Sequence, residues 1–402
     1  MRVLGLMAGT SADGVDAVLA QFSGRRQRPR WRILASHFSP YTPELRRRAI
    51  ALGQGQPLAA AELLALAEAI TEAHAAAAQA CDPGGLAELV GCHGQTVWHR
   101  PPQPDRRGAS WQLLQGPLLA QLIGRPLVFD FRSADLALGG QGAPLVPATD
   151  AALLGRVGGW RALLNLGGIA NLTLLPPACG PERQAAVRGW DCGPANTLLD
   201  LAVSRFSGGE LNFDADGAWA RRGRIQEHLL QQWLQEPYLQ QRPPKSTGRE
   251  LFGQADLERR LQQLAAASSS SSPQRSNSTE QPFAKDATTA DAAADALATL
   301  TAFSAAAVAQ DLARDAGVVE LLVGGGGCRN SFLIEQLRRR CRGLTIRPLS
   351  ALGIAPEQRE ALAFALLAWW HHHGYPGSLP SATGARAAAV LGVCARPTAK
   401  AS

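Results

Sequence analysis

The chain has 402 residues, 46% of them hydrophobic and 18% charged, which is enough for two lobes or one unusually large domain and excludes global disorder. Its formal charge of +7 comes from 40 basic residues, of which only Lys245, Lys285 and Lys400 are lysines. The arginine clusters at Arg25–Arg30, Arg46–Arg48 and Arg338–Arg342 carry no interleaved aromatic platform and no nucleic-acid motif, so they read as solvated loops and helix faces.

Met1-Arg2 leads straight into a strand-like stretch, and no apolar run reaches the ~18–20 residues of a membrane span. Neither a secretory signal nor an anchor is expected. Cys81, Cys92, Cys179, Cys192, Cys328, Cys341 and Cys394 are odd in number, scattered and never paired as CxxC. That argues against a disulfide framework or structural zinc, and for a reduced cytoplasm.

In chain order, Val3 to Met7 reads as a buried strand and Val15 to Gln21 as its antiparallel return. Ala59 to Ala80 is alanine-rich and helical. Leu89 to Cys92 and Pro126 to Phe131 are short apolar runs ending in polar turns, as strands do beside a site. Arg161 to Leu166 and Ile169 to Leu175 read as a second hairpin around Gly167-Gly168. The serine-rich stretch within 265–294 cannot bury apolar surface and reads as a mobile surface insertion, with the helix resuming near Asp295. Leu321 to Val323 is a strand that meets four glycines, then a helix from about Ser331. The class is α/β with antiparallel portions.

There is no GxxxxGK[ST], G-x-S-x-G, HExxH or HRD motif, so any bound phosphate must be held by backbone amides and small hydroxyls. Three places offer them. The turn Gly9, Thr10, Ser11, Ala12, Asp13, Gly14, Val15, Asp16 exposes successive N–H groups and two hydroxyls. Its carboxylates would repel phosphate, so at least one, Asp13 by choice, reads as facing Mg2+ or water. Gly167 and Gly168 repeat the pattern in mid-chain. Gly324, Gly325, Gly326 and Gly327 let a planar ligand lie against bare backbone. Singly, each is an ordinary tight turn. In this order they are what a duplicated actin-like ATPase core would show.

Asp191 precedes Pro194, which suits the first turn of a helix, so helix N-cap and general base are both open to it. His93, between Gly91 and Gly94, reads either as a substrate contact or as a histidine satisfied in the core. Arg132 at a strand end is a clamp for carboxylate or phosphate, or the ion-pair partner of Asp135. His371, His372 and His373 point in different directions on a helix and read as C-terminal capping.

Taken together these stretches resemble the anhydro-N-acetylmuramic acid kinase family. The matches are Gly5 to Asp16, His93-Gly94-Gln95-Thr96, Asp130-Phe131-Arg132, Gly139 to Pro147 (GGQGAPLVP) and Asn165 to Asn171 (NLGGIAN). They continue with Asp191 to Asn196, Phe213 to Gly217, Pro243 to Glu250 (PPKSTGRE), Gly324 to Asn330 and Glu360 to Phe364, over nearly the whole chain. Ala8, Cys92 and Ala195 depart from the family's usual residues, and Gln115-Gly116-Pro117 lacks its Gly-Asp-Pro.

The resemblance implies a two-lobed actin-like ATPase (ribonuclease H-like) fold, with duplicated mixed sheets flanked by helices and ATP in the interlobe cleft. It implies a first domain of residues 1–134 plus 376–402 and a second of 135–375. The reaction implied takes ATP, water and 1,6-anhydro-N-acetylmuramic acid to ADP and N-acetylmuramic acid 6-phosphate, in peptidoglycan recycling. Gly9 to Asp16, Gly167 and Gly168 would hold ATP phosphates, and Gly324 to Gly327 would lie by the adenosine. Asp191 would be the base and Glu360 a second cleft carboxylate near Mg2+ or that base. His93, Gln95, Thr96, Arg132 and Asp135 would face the sugar. No nucleic acid and no membrane is implied as a partner; a homodimer is what the family suggests. The rival enzyme is another sugar or carboxylate kinase of the same fold, and the rival of a different class is an ATP-driven switch.

Overall fold

The stretch Arg2–Ala8 (β1) buries six residues in succession, a pattern that needs cover on both faces and a neighbour on each side. It has both neighbours: Gly14–Arg25 (β2) pairs antiparallel, and Leu89–Arg100 (β4) pairs parallel. The computed structural model describes residues 1–103, 105–156, 158–243, 245–248, 251–270, 287–315 and 317–398. It forms two units: Met1–Gly155 with Gln184–Arg188 and Leu352–Ser402, and Arg156–Arg183 with Gly189–Ala351.

Completing the first sheet are Arg28–Pro40 (β3), Ala109–Leu113 (β5) and Leu127–Phe129 (β6). The second unit has Trp160–Leu166 (β7), Ile169–Leu175 (β8), Arg188–Pro194 (β9), Val318–Gly324 (β10) and Thr345–Pro348 (β11); Val393–Ala395 (β12) returns to the first sheet. Sheet one runs β12-β6-β4-β1-β2-β3, with β5 on β4; sheet two runs β11-β10-β7-β8-β9. Both sheets therefore have the same plan. A hairpin (β1–β2, β7–β8) is extended by a third strand on one side, and two parallel strands follow on the other (β4 and β6, β10 and β11). The duplication expected from two glycine hairpins is present at the level of strand order.

The helix Gln358–His372 buries ten consecutive residues, Ala361 to Trp370, because it lies directly on the first sheet. Contact that close requires missing side chains beneath it. Gly5 and Gly91 are register partners on β1 and β4. A Cβ on Gly5 would lie 1.9 Å from the Ala361 carbonyl oxygen, and one on Gly91 would lie 2.3 Å from that of Phe364. Gly5→Ala should therefore destabilise the protein by about 1–3 kcal/mol through overpacking. The expected reading is a lower urea midpoint at unchanged m; an unchanged midpoint would show that the helix can retreat without loss.

That helix lies in the first compact unit. Residues 135–155 and 352–375, placed in the second domain on sequence, belong to the first compact unit. In the second unit, the helix Ala287–Ala313 packs its apolar surface into the core with Leu198, Trp233 and Phe252. Its stretch Ala290–Ala313 is long and apolar enough to cross a membrane by length and composition, contrary to the reading of the sequence, but the apolar 18-residue window within it is 83% buried inside the protein. It begins at Ala287, before the expected Asp295, while Gln254–Ser270 is also helical. The rest of the expected insertion, residues 271–286, lies outside the described residues.

Candidate active site

In the first unit the β1–β2 turn closes with the Ala12 amide donating to the Gly9 carbonyl at 3.1 Å. Ala12 sits at φ 48°, a left-handed conformation uncommon for a residue with a side chain. Thr10 and Ser11 are exposed, and the Ser11 hydroxyl donates to the Asp13 carboxylate at 2.8 Å. Beneath the turn, buried Gln95 donates to the Gly9 carbonyl at 2.9 Å and so ties β4 to it. Asp16 is raised to about 6, chiefly by burial and then by the charges of Asp13, Glu360 and Glu357. Four carboxylates thus share one electrostatic neighbourhood at this turn. No group of three or more His, Cys, Asp or Glu side chains among the described residues is arranged to hold a metal ion.

β4 continues to Arg100, so His93, Gln95 and Thr96 lie within a strand and not after its end. His93 is 3% exposed and its ring packs on Phe364 at 4.6 Å. Its Nδ1–H donates to the Gly94 carbonyl at 2.9 Å, which leaves Nε2 as an acceptor. The Arg132 guanidinium donates to Nε2 from Nε at 3.1 Å and from Nη2 at 2.8 Å, and from Nη1 to the Gly142 carbonyl at 2.6 Å. Both His93 nitrogens therefore have protein partners, Gly94 and Arg132. Arg132 keeps one unused N–H on each terminal nitrogen, the pair that grips a carboxylate end-on. Asp135 is fully buried and accepts from the Gly142 amide and the Thr383 hydroxyl; it organises the 139–142 loop and pairs with neither Arg132 nor solvent. Thr96 accepts from Gln112 at 3.1 Å. Glu360 is exposed in the first turn of the helix Gln358–His372.

Burial drives His93 down to about 3 and His74 down to about 4. Both fall below the unfolded value of 6.5. The unfolded chain therefore binds more protons than the folded one below about pH 6.5, and stability is lost as pH drops through that window. Asp16 acts oppositely, because its raised value lets the folded state hold a proton between about pH 4 and 6. Two histidines outweigh one aspartate, so urea midpoints should fall between about pH 7 and 4.5. His74→Gln should flatten that slope; a variant as steep as the parent would refute the assignment.

In the second unit Asp191 lies inside β9, and the following helix Asn196–Phe206 has Ala195 at its N-cap position. The N-cap alternative for Asp191 is thereby removed. The amides of that helix start, Ala195, Asn196 and Thr197, donate to the Gly167 and Gly168 carbonyls of the β7–β8 turn. The Asp191 carboxylate accepts three hydrogen bonds. Asn171 Nδ2 reaches Oδ1 at 2.9 Å, and Ser246 Oγ and the Thr247 amide reach Oδ2 at 2.8 and 3.0 Å. A carboxylate offers about four lone-pair positions, so one remains, on Oδ1. Asn171 belongs to NLGGIAN, and Ser246 and Thr247 to PPKSTGRE. Sequence marked both strings without assigning these side chains to the aspartate, and their shared specificity was the one signal available.

The four-glycine step also meets the second hairpin. Gly325 has φ 84°, and a Cβ there would lie 2.6 Å from Asn165 Oδ1 and 2.8 Å from the Leu166 carbonyl. A Cβ on Gly327 would press on Leu166 and Asn196, whereas Gly326 faces open space. Asn330 then caps the helix Ser331–Arg340 by accepting from the Leu333 amide. The Phe213 to Gly217 string joins here, since the Ser331 hydroxyl donates to the Asp216 carbonyl at 3.1 Å. Alongside lies a cavity of about 270 Å³ lined by Val323, Ile334, Arg338, Ile346, Arg347 and Pro348.

Two sheets that share a five-strand plan, each led by a glycine hairpin and one followed by a strand–glycine–helix step, have the form of a duplicated-core ATPase. The chain belongs to the anhydro-N-acetylmuramic acid kinase family, whose profile matches residues 1–397. The anhydro-N-acetylmuramic acid kinase of Synechococcus sp. (strain WH7803) is 58% identical, over 99% of this chain and 100% of its own length. That of Synechococcus sp. (strain CC9605) is 59% identical at the same coverage. Among solved structures, the activator of the 2-hydroxyisocaproyl-CoA dehydratase from Clostridium difficile with bound ADPNP matches at TM-score 0.40 and 12% identity, covering 92% of this chain and 94% of its own. That likeness is too remote to carry an argument.

Proposed function

We propose that the chain uses ATP and water to open 1,6-anhydro-N-acetylmuramic acid and to phosphorylate O6, giving N-acetylmuramic acid 6-phosphate and ADP. The observation that carries this reading is Asp191, held by three donors with one lone-pair position left to take a proton. Water attacks C1 as the C1–O6 bond breaks, and its proton passes to Asp191 Oδ1. O6 forms its new bond to the γ-phosphorus while the bond to the ADP oxygen breaks. Hydrolytic opening of a glycosidic bond with inversion needs a base and ordinarily an acid. Here the phosphoryl group captures the leaving oxygen, so no second carboxylic acid is required.

Arg132, with its two unused N–H groups, fits the lactyl carboxylate of the muramic acid, and His93 and the Gly142 carbonyl fix its plane. The Gly9 to Asp16 turn and the Gly167-Gly168 turn are the reading's phosphate-side elements, and Gly324 to Gly327 its adenosine-side element. Mg2+ fits the Asp13 and Asp16 turn, where burial, and after it the neighbouring carboxylates, raises Asp16 to about 6. Bound there with ATP, it would neutralise phosphoryl charge, one or two carboxylates plus phosphate oxygens being its usual set. All seven cysteines are free, which supports a reducing, cytoplasmic setting. A small-molecule sugar as the partner, and a homodimer as the assembly, complete the reading.

Turnover in ¹⁸O-water tests it. The label should appear on C1 of the sugar product and not in the phosphoryl group, with the first-formed anomer inverted. Product must be read within seconds, before mutarotation. An unlabelled C1 at the earliest times would leave an ordinary sugar kinase, and label in the phosphate would indicate ATP hydrolysis.

A further inference from the structure

The two chain segments that frame Asp191 are both anchored to one buried aspartate. Asp311, on the helix Ala287–Ala313, has a side chain 1% exposed and pairs with the equally buried Lys245, whose Nζ lies 2.9 Å from Oδ2 and 3.1 Å from Oδ1. It also accepts from Trp190 Nε1 at 2.9 Å and from Arg314 Nη1 at 3.0 Å. Trp190 immediately precedes Asp191 on β9, and Lys245 immediately precedes Ser246 and Thr247. Between these anchors the Asp191 amide donates to the Lys245 carbonyl at 3.1 Å. Tyr238 completes the frame: its hydroxyl donates to the Asp191 carbonyl, and its ring lies 5.1 Å from Lys245 Nζ.

We propose that Lys245 and Asp311 are positioning residues for Asp191, holding β9 and the 245–247 segment in the register that delivers the Ser246 and Thr247 hydrogen bonds to its carboxylate. The proposal rests on the reading of Asp191 as the base. A buried ion pair adds little stability in itself, since desolvation offsets the attraction. What this one does is define geometry, and a displacement of about 1 Å can reduce turnover on the order of 10²-fold.

The test uses the full chain with ATP and the anhydro-sugar. Lys245→Met should lower kcat about 10²-fold while KM for either substrate stays within about twofold. Because Lys245→Met leaves the buried Asp311 carboxylate with Arg314 as its remaining ionic partner and can unfold the variant, Lys245→Met/Asp311→Asn is made in parallel; it neutralises both members of the buried pair and keeps an acceptor for Trp190. The double variant should regain parental stability, read by thermal melting, and remain slow. Recovery of kcat along with stability would overturn the proposal, as would parental kcat in a folded Lys245→Met. A cycle with Ser246→Ala gives a second readout. Lys245→Met should cost little more in that background if it acts through the Ser246 segment, and fully additive losses would exclude this route. Asp191→Asn separates the two levels: an active Asp191→Asn removes the base itself, whereas an inactive one beside a fast Lys245→Met removes only the positioning role.

Discussion

Asp191→Asn should lose about 10²–10⁴-fold in kcat, the range for removing a general base, while binding ATP as the parent does. The substitution is nearly isosteric. With its amide oxygen at the Oδ2 position it still accepts from Ser246 and Thr247, and Asn171 can flip its own amide to meet the new NH2 group. The frame around the residue therefore persists, including the Tyr238 bond to its carbonyl and the Lys245 bond to its amide. What disappears is the basic lone pair at Oδ1. Rates of ADP release with and without the anhydro-sugar, together with a nucleotide-binding titration, measure the two effects separately. A variant within about tenfold of parental turnover falls short of the general-base loss and would make Asp191 structural. A variant that no longer binds ATP would place it on the nucleotide side.

Much of this arrangement is legible in the sequence, and what is not has identifiable reasons. Both glycine hairpins stand out because an apolar run, a short glycine turn and a second apolar run leave no other local solution. Asp191 is also visible, but its neighbour Pro194 suggests a helix start where β9 in fact continues to Pro194. Its true partners, Ser246 and Thr247, lie more than fifty residues away and meet it only through tertiary packing. β4 looks short because its polar half pairs with β5 in a register, Thr96 against Gln112 and Arg100 against Ala109, that local pattern does not reveal. The placement of the last long helix is hidden for a similar reason. The helix Gln358–His372 is apolar on nearly all sides, so it has no face to show which sheet it covers. The Gly5 and Gly91 gap that receives it sits more than 250 residues earlier in the chain. His93 illustrates the limit at a single residue: a histidine between glycines at a candidate site is burial-neutral in sequence, and only the occupied Nδ1 and Nε2 make it a support for Arg132.

That support leads to a prediction with a large effect on sugar use. Arg132→Ala removes a guanidinium that keeps a terminal N–H on each nitrogen for an anionic substrate, and hydrogen bonds to charged groups contribute about 1.5–3 kcal/mol each. The expected result is a loss in kcat/KM for the anhydro-sugar on the order of 10²-fold, with KM for ATP little changed. His93→Ala should give a smaller loss, because Arg132 then keeps the Gly142 carbonyl but no longer has Nε2 to fix its plane. The decisive comparison is between backgrounds. If His93 acts by holding Arg132, His93→Ala should reduce kcat/KM in the parent and do almost nothing more once Arg132 is alanine. Losses that multiply would mean that His93 touches the substrate on its own account, and the buried ring would have to turn outward in the working enzyme. A parental kcat/KM for Arg132→Ala would mean that this guanidinium serves the 139–142 loop alone, through Gly142, and that the sugar's carboxylate is held elsewhere.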